Sequence, residues 1–123
     1  NEASQLKPLA SEVRMLRRLR HPNIVLFHGC CVLPSDQTLL LVEEFVAGGT
    51  LQDLIVAGSL ETQEMYAILH GIAAALWYLH HGKESIIHGD LKPVNVLMDE
   101  NRRIPKLADF GMSQSLRRFQ HFK

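Results

Sequence analysis

The chain contains 123 residues with a mass of 13.9 kDa, and 46% of its residues are apolar. Thirteen lysines and arginines balance thirteen aspartates and glutamates, which gives a formal net charge of zero with histidine neutral. This composition argues against a disordered charged tail and against a nucleic-acid-binding protein held by bulk positive charge, and the length favours one domain.

Targeting and redox features are few. No apolar run approaches the roughly 18 residues of a membrane-spanning helix, and no charged-then-apolar leader opens the chain, so we expect neither a span nor a secretory signal. The adjacent Cys30 and Cys31 are poorly placed to bridge each other, because disulfide geometry strains neighbouring residues. We expect free thiols in a reducing, cytoplasmic compartment, packed as small buried hydrophobes.

The first part of the chain predicts one helix and two strands. Apolar residues at helical spacing predict a helix from Pro8 to Arg20, which should end before Pro22 because the residue preceding a proline disfavours the helical region. Short apolar runs at Ile24–Phe27 and Thr38–Phe45 flank a polar, proline-containing turn. They predict an antiparallel pair of strands.

Two further helices follow. Thr50 and Asp53 have capping-box spacing and open a short helix that Gly58 closes. A long apolar periodicity then predicts a helix from Thr62 to His81. Trp77 lies on this helix, and we expect it to belong to the core rather than to a binding surface.

Polar residues dominate the last part of the chain. Strand-like segments at Val96–Met98 and Lys106–Ala108, turning at Asp99–Asn101, predict a hairpin that brings Asn95 and Asp109 close together. Amide and carboxylate oxygens are ligands that Mg²⁺ prefers, especially when phosphate oxygens complete its shell. The hairpin therefore predicts a magnesium site.

Two more candidates lie on the loop before this hairpin. The carboxylate of Asp90 could accept a proton from an attacking hydroxyl group. Lys92, two residues later, supplies a point charge suited to a phosphoryl group in transfer.

The order and spacing of these residues resemble the eukaryotic protein kinase family. The stretch from His88 to Asn95 (HGDLKPVN) is similar to its catalytic loop, and Asp109–Gly111 (DFG) to its metal-binding motif. Leu19–Val25 (LRHPNIV) is similar to the link after its first large helix, and Glu44–Leu51 (EFVAGGTL) to its hinge. Lys92, two residues after Asp90, resembles the pattern of serine/threonine-directed kinases. The stretches VLFHG (25–29) and GGTL (48–51) resemble the tyrosine-kinase-like branch, many of whose members phosphorylate serine and threonine.

The resemblance implies ATP and Mg²⁺ as cofactors and assigns roles to the polar residues. Asp90 would be the catalytic base, and Lys92 would neutralise charge on the γ-phosphate. Asn95 would support catalysis and would hold Mg²⁺ together with Asp109. A spine of packed side chains is implied as well. Its members would be Leu16, Phe27, His88 and Phe110.

The nucleotide site is assigned in the same way. The backbones of Glu44 and Val46 would bond the adenine edge, and Leu97 would form the floor beneath it. Glu12 lies on the apolar stripe of its helix without a local cation, so a half-buried carboxylate there needs one from elsewhere. In the family that cation is a lysine on an upstream strand; the alternative is an edge glutamate that reaches solvent.

The expected fold is a partial two-lobed, kinase-like α+β fold. Residues 1–43 would be the remainder of the small lobe, residues 44–47 the hinge, and residues 48–123 part of the helical lobe. The family's glycine-rich loop and strand lysine are not in this stretch, so we expect a serine/threonine kinase fragment that is inactive alone. Its partners would be ATP, a protein substrate and possible regulatory or scaffold proteins, without nucleic acid.

Two residues depart from the family pattern. Gly89 replaces the usual arginine before Asp90, which suggests control without the activation-loop phosphate contact, unless it is simple loop drift. Glu43 lies at the gatekeeper position, where a charge is costly unless paired. These departures keep a pseudokinase or scaffold open, and the His-Gly-Asp order keeps a small-molecule phosphotransferase open.

Overall fold

A computed structural model describes residues 10–35, 38–111 and 114–116, the last three by their backbone alone. Residues 10–16 form helix α1. The later elements are β1 (Phe27–Leu33), β2 (Thr38–Glu43), α2 (Leu51–Ala57), α3 (Thr62–His80), β3 (Ser85–Ile87), a 3₁₀ turn (Pro93–Asn95), β4 (Val96–Met98), β5 (Pro105–Leu107) and β6 (Gln114–Leu116). The strands pair as β1–β2, β3–β6 and β4–β5, each antiparallel. The expected α+β class is confirmed.

Helix α1 ends at residue 16, before the predicted end at Arg20. The N–H of Arg18 bonds the carbonyl of Met15 at 3.1 Å, so the last turn tightens out of α-helical geometry. The hydroxyl of Tyr78 accepts from the N–H of Arg20 at 2.9 Å and donates to the carbonyl of Arg18 at 3.2 Å. Helix α3 thus supplies the partners that end α1. The predicted start at Pro8 lies outside the described residues.

The predicted antiparallel pair is confirmed, but its first strand was placed too early. Pairing of β1 with β2 begins at Phe27, opposite Glu43. Ile24 makes a single parallel bridge to Leu107 of β5, and the N–H of Val25 donates to the carbonyl of Leu107 at 3.0 Å. Ile24 and Val25 are therefore bonded to β5 of the later hairpin rather than to β2.

The packing predicted for the two cysteines is wrong. Cys30 and Cys31 are free thiols, as expected, but both are exposed. Within the hairpin of β1 and β2, only Phe27 is buried. Several large apolar side chains of the same hairpin are also exposed: Val32, Leu33, Leu40, Leu41 and Val42. Apolar residue type alone therefore does not decide burial in this part of the chain.

The two later helices follow their predicted signals closely. The hydroxyl of Thr50 accepts from the N–H of Asp53 at 3.2 Å, and the Asp53 carboxylate accepts from the N–H of Thr50 at 2.9 Å. Gly58 ends α2 with a φ of 67°, in the left-handed region that favours glycine. Helix α3 ends one residue earlier than predicted, with His81 as its C-cap.

Trp77 is not a core residue, contrary to the prediction. Its side chain is 65% exposed, whereas Ala75 and Leu79 on the same helix are almost fully buried. Residues two apart on a helix point to nearly opposite sides, so burying positions 75 and 79 turns position 77 outward. The periodicity of α3 was correct, but the tryptophan lies off its buried stripe.

The hairpin of β4 and β5 packs against α3 through a close approach at Gly71. A Cβ atom at Gly71 would lie 2.7 Å from Cγ of Pro105 and 2.8 Å from Nδ2 of Asn23. The Asn23 amide donates to the carbonyl of Pro105 at 2.9 Å, and the N–H of Leu107 donates to the carbonyl of Asn23 at 2.8 Å. Asn23 therefore joins the segment after α1 to both the hairpin and α3.

One cluster of buried side chains connects these elements. Its members are Leu16, Leu19, Ile24, Phe27, Leu51, Leu54, Ile68, Ala75, Leu79, Ile86, Val96, Met98, Leu107 and Phe110. Three of the four expected spine residues belong to this cluster, and the fourth, His88, is 2% exposed and contacts Phe110. No helix within the described part of the chain combines the length and hydropathy needed to cross a bilayer.

Candidate functional site

His88 anchors the loop that follows β3. Its ring is buried, its Nε2 lies 2.8 Å from the carbonyl oxygen of Ala108, and its Nδ1 accepts from the N–H of Asp90 at 3.2 Å. Because a carbonyl only accepts, the proton belongs on Nε2 and both ring nitrogens are satisfied. The ring also meets Phe110 edge-on, with centroids 4.8 Å apart. His88 therefore fixes the loop against the segment after β5.

Asp90, Lys92 and Asn95 form one cluster on this loop. The Asn95 amide donates to the backbone carbonyl of Asp90 at 2.9 Å and to its carboxylate at 3.1 Å. The Lys92 ammonium lies 3.4 Å from the other carboxylate oxygen of Asp90. Asn95 is buried whereas Asp90 is half-buried, so a rigid buried amide orients a carboxylate that solvent or substrate can reach.

Asp109 lies next to this cluster, as the predicted hairpin required. The N–H of Ala108 donates to the carbonyl of Asn95 at 2.9 Å, which ties the residue before Asp109 to the catalytic-loop candidate. Asp109 itself is exposed and has a φ of 56°, in the left-handed region. For a residue with a Cβ atom that conformation costs about 1 kcal/mol or more, and such strain concentrates at functional sites.

Residues 48–50 run along β4. The N–H of Gly48 donates to the carbonyl of Met98 at 2.8 Å, and the N–H of Met98 donates to the carbonyl of Gly49 at 2.8 Å. Leu97 is half-buried between two buried strand neighbours, so it faces away from the core. Val46 is half-buried in the adjoining segment. Leu97 therefore lies beside the segment that directly follows Glu44 and Val46, the other residues assigned to adenine binding.

Lys106 connects the same segment to β5. Its ammonium lies 2.5 Å from Oε1 of Glu44, and both side chains are largely buried, with 19% and 28% exposed. The other Glu44 oxygen accepts from the N–H of Leu26 at 3.1 Å, and the N–H of Glu44 donates to the carbonyl of Leu26 at 2.7 Å. Burial alone would raise the pKa of Glu44, but the hydrogen bonds from Lys106 and Leu26 and the charge of Lys106 lower it.

Comparisons with known proteins agree with this geometry. The family model described as "Protein kinase domain" matches residues 1–123. The chain belongs to the protein kinase domain family. It is 41% identical to interleukin-1 receptor-associated kinase 1 of Mus musculus over 109 residues, 85% of this chain and 15% of that protein.

Two plant and amoebal relatives extend the comparison. The chain is 37% identical to the G-type lectin S-receptor-like serine/threonine-protein kinase SRK of Arabidopsis thaliana, over 88% of this chain and 13% of that protein. It is 37% identical to the probable serine/threonine-protein kinase drkA of Dictyostelium discoideum, over 88% of this chain and 17% of that protein. The chain thus spans less than a fifth of the length of each curated relative.

The donor set near Asp109 fits a magnesium ion held jointly by protein and phosphate. The Asn95 amide nitrogen is turned toward Asp90, which points the amide oxygen away from that contact. One carboxylate oxygen of Asp109 accepts from the N–H of Gly111 at 3.3 Å. No group of three or more acidic, histidine or cysteine residues in the described ranges could hold a metal alone. Mg²⁺ suits such a sparse oxygen set because it retains water and phosphate ligands.

The charges of Glu12 and Asp109 both act on the carboxylate of Glu43. Glu43 is exposed at the end of β2, but partial desolvation raises its pKa, and the charges of Glu12 and Asp109 raise that pKa further. Glu12 is half-buried, as the sequence predicted. The cation that Glu12 was predicted to need from another segment stays a prediction.

Two observations go beyond the sequence-based prediction of this kinase site. Gly89 has a φ of 82°, so any residue with a Cβ atom would be strained there. Lys106 was not among the predicted site residues. Its signal in the sequence was a single cation between two apolar positions of a short strand, three residues before Asp109.

Proposed function

We propose that this chain is the central part of a serine/threonine protein kinase domain that transfers the γ-phosphate of ATP to a hydroxyl group of a protein substrate. The observation that carries the proposal is the cluster of Asp90, Lys92 and Asn95 beside the segment that presents Asp109. Two of the relatives described above carry the words serine/threonine-protein kinase in their names, which supports the same class.

In the proposed reaction, Asp90 accepts the proton of the substrate hydroxyl. The hydroxyl oxygen bonds to the γ-phosphorus while the bond from that phosphorus to the bridging oxygen of ADP breaks. The Asn95 amide keeps the Asp90 carboxylate in one orientation. Lys92, 3.4 Å from that carboxylate, stabilises the negative charge on the transferring group. Positioning and electrostatics therefore supply the catalysis.

The remaining assignments concern nucleotide and metal. Asn95 and Asp109 would hold Mg²⁺, which supplies positive charge to the phosphate oxygens. The backbones of Glu44 and Val46 would bond the adenine edge above Leu97. The hydrogen bonds between residues 48–49 and β4 support this placement by keeping the two segments together.

Two further assignments belong to the proposal. Glu12 would pair with a lysine of an upstream strand, consistent with its half-buried position. Residues 1–43 would belong to the small lobe, 44–47 to the hinge and 48–123 to the helical lobe. We also propose a reducing, intracellular location, in which the two exposed thiols of Cys30 and Cys31 remain reduced.

The test is transfer of labelled γ-phosphate from ATP to casein and to serine, threonine and tyrosine peptides by the complete protein that contains this chain. We expect labelled serine or threonine and a loss of about 100-fold or more in kcat with Asp90→Asn, whose shape is unchanged. Asp109→Asn should abolish the magnesium dependence of ATP binding. Equal activity of Asp90→Asn and the unaltered protein would contradict the proposal.

A pseudokinase or scaffold is the second candidate, and it is favoured by Glu43, whose pKa is raised by partial desolvation and then by the charges of Glu12 and Asp109. ATP binding without any transfer, measured by thermal shift and by the same radioassay, would support this candidate. Transfer to choline or an aminoglycoside with none to peptides would instead indicate a small-molecule phosphotransferase.

A further inference from the structure

We propose that a groove between the end of α1 and the end of α3 is a docking site for an acidic segment of a partner protein that carries one apolar anchor residue. The groove lies at the far end of α3 from the hairpin turn and does not include the nucleotide-site candidates. Its volume is about 650 Å³. That volume is within the usual range for sites that enclose a ligand group.

The floor of the groove is apolar. Leu19, Leu79 and Ile86 line it and are each less than one-tenth exposed, while Met15 is half-buried beside them. These side chains come from the end of α1, from α3 and from β3, so the floor is held by the common core. An apolar floor favours an apolar anchor such as leucine or phenylalanine, because contact with it removes apolar surface from water.

Trp77 forms a wall of the groove. Its side chain is 65% exposed, yet its indole ring stacks on the His81 ring, with centroids 4.6 Å apart and planes 15° apart. The stack restrains the indole and leaves part of its surface available. Restrained, exposed aromatic side chains contribute strongly to protein interfaces because little conformational entropy remains to be lost on binding.

The rim of the groove is cationic. Arg14, Arg17 and Arg18 are all exposed and line a second depression of about 290 Å³, and Arg18 also lines the groove. Lys83 lines the groove as well, whereas Glu84 is the one carboxylate among the lining residues of the two depressions. A chain of zero net charge therefore concentrates four cations beside one apolar floor.

The contact between Arg18 and Glu84 leaves this charge excess largely intact. The two charged groups are 3.8 Å apart, with side chains 72% and 40% exposed. Exposed pairs at that distance are weak and are screened by salt. An incoming carboxylate could therefore engage Arg18 without breaking a strong interaction.

The charge and shape of the site favour an acidic peptide over other occupants. Nucleic acid is bound by strongly basic proteins that offer several aromatic stacking platforms. The groove offers one tryptophan over an aliphatic floor, in a neutral chain. The chain's own continuation after Leu116 carries arginines at 117 and 118 and no carboxylate up to residue 123, so it lacks the complementary charge.

The test measures binding of a fluorescein-labelled peptide, four glutamates around one phenylalanine, to the complete protein by fluorescence anisotropy. We expect saturable binding that weakens between 50 and 300 mM salt, and a loss of affinity of about tenfold or more in the double variant Arg14→Glu, Arg17→Glu. Trp77→Ala should weaken binding about fivefold or more at both salt concentrations, because its contact is apolar. A peptide with glutamine in place of glutamate should bind at least about tenfold more weakly.

The matched control reverses two arginines elsewhere. Arg102 and Arg103 share a depression with Glu64 near the start of α3, and a rise of 1.5 Å per residue places Glu64 about 20 Å from Trp77 along the helix. The variant Arg102→Glu, Arg103→Glu changes the net charge by the same amount and should change peptide affinity less than about twofold. Thermal melts establish that each variant is folded.

Four results would overturn the proposal. The first is that the acidic peptide shows no saturable binding, and the second is that the two double variants lose affinity equally. The third is that a single-stranded oligonucleotide of tighter affinity displaces the peptide. The fourth is self-association of the protein that the double variant Arg14→Glu, Arg17→Glu abolishes. The last two outcomes would assign the groove to nucleic acid or to a second copy of the chain.

Discussion

The pair of Glu44 and Lys106 yields the most quantitative prediction. It joins residues 62 positions apart and connects the proposed hinge to the strand that leads to Asp109. At the observed 2.5 Å the attraction is about 6–7 kcal/mol for an effective dielectric constant near 20. Removing both charges from water and ordering two side chains offsets most of that attraction.

The net contribution of this pair to the free energy of unfolding depends on how deeply the pair is buried. Breaking an exposed pair costs about 0–1 kcal/mol, and breaking a buried one costs about 3–5 kcal/mol. These side chains are 19% and 28% exposed, so Lys106→Met should lower the free energy of unfolding by about 2 kcal/mol. For a domain of this size the melting temperature should fall by about 6–10 °C.

A double-mutant cycle isolates the pair. Lys106→Met, Glu44→Gln and the double variant are each unfolded with urea, and Glu44→Gln keeps an acceptor for the N–H of Leu26. We expect a coupling free energy of about 1–2 kcal/mol. Lys92→Met is the matched control. Its partner Asp90 is 3.4 Å away and the Lys92 side chain is 52% exposed, so its loss should cost less than about 0.5 kcal/mol.

The same pair predicts a pH dependence. Lys106 and Leu26 lower the pKa of Glu44 below its usual 4.5 in the folded state. The folded state then binds fewer protons than the unfolded state, so this stabilisation is complete above pH 4.5 and is lost as pH falls through the lowered pKa. The difference in the free energy of unfolding between Lys106→Met and the unaltered protein should therefore disappear in acid. The reasoning would be refuted if the two single variants had additive effects on the free energy of unfolding at pH 7. It would also be refuted if Lys106→Met remained less stable than the unaltered protein in acid.

Two further predictions concern Gly48 and Glu43. A Cβ atom at Gly48 would lie 1.9 Å from the backbone oxygen of Asp99, so Gly48→Ala should lower the free energy of unfolding in urea by about 2 kcal/mol or more. Gly29→Ala is the control, because a Cβ atom there would have no atom within 4 Å, and it should change the free energy of unfolding by less than about 1 kcal/mol. Burial and neighbouring carboxylates raise the pKa of Glu43, so its ionisation destabilises the folded state as pH rises, and Glu43→Gln should raise the melting temperature at pH 8 more than at pH 5. Equal shifts at both pH values would contradict the account of Glu43.

Part of the candidate site could be predicted from the sequence because it depends on residues that are close together in the chain. The capping box of Thr50 and Asp53 and the hairpin turn that begins at Asp99 are encoded within a few residues. The structure has both, although β5 begins one residue earlier than predicted, at Pro105. The hairpin then brings Asn95 next to the residue before Asp109, since antiparallel pairing fixes which positions meet. Strand boundaries were less accurate, because Ile24 bonds to Leu107 rather than to β2.

The sequence by itself determined the family, the order of the elements and the loop that gathers Asp90, Lys92 and Asn95, because turn chemistry, periodicity and motif spacing act over short stretches of chain. The tertiary structure alone decided that Trp77 faces outward, that Cys30 and Cys31 are exposed and that Lys106 meets Glu44. Burial and ion pairing depend on which surfaces come together across the fold. Residues far apart in the chain acquire those contacts only when the helices and hairpins pack.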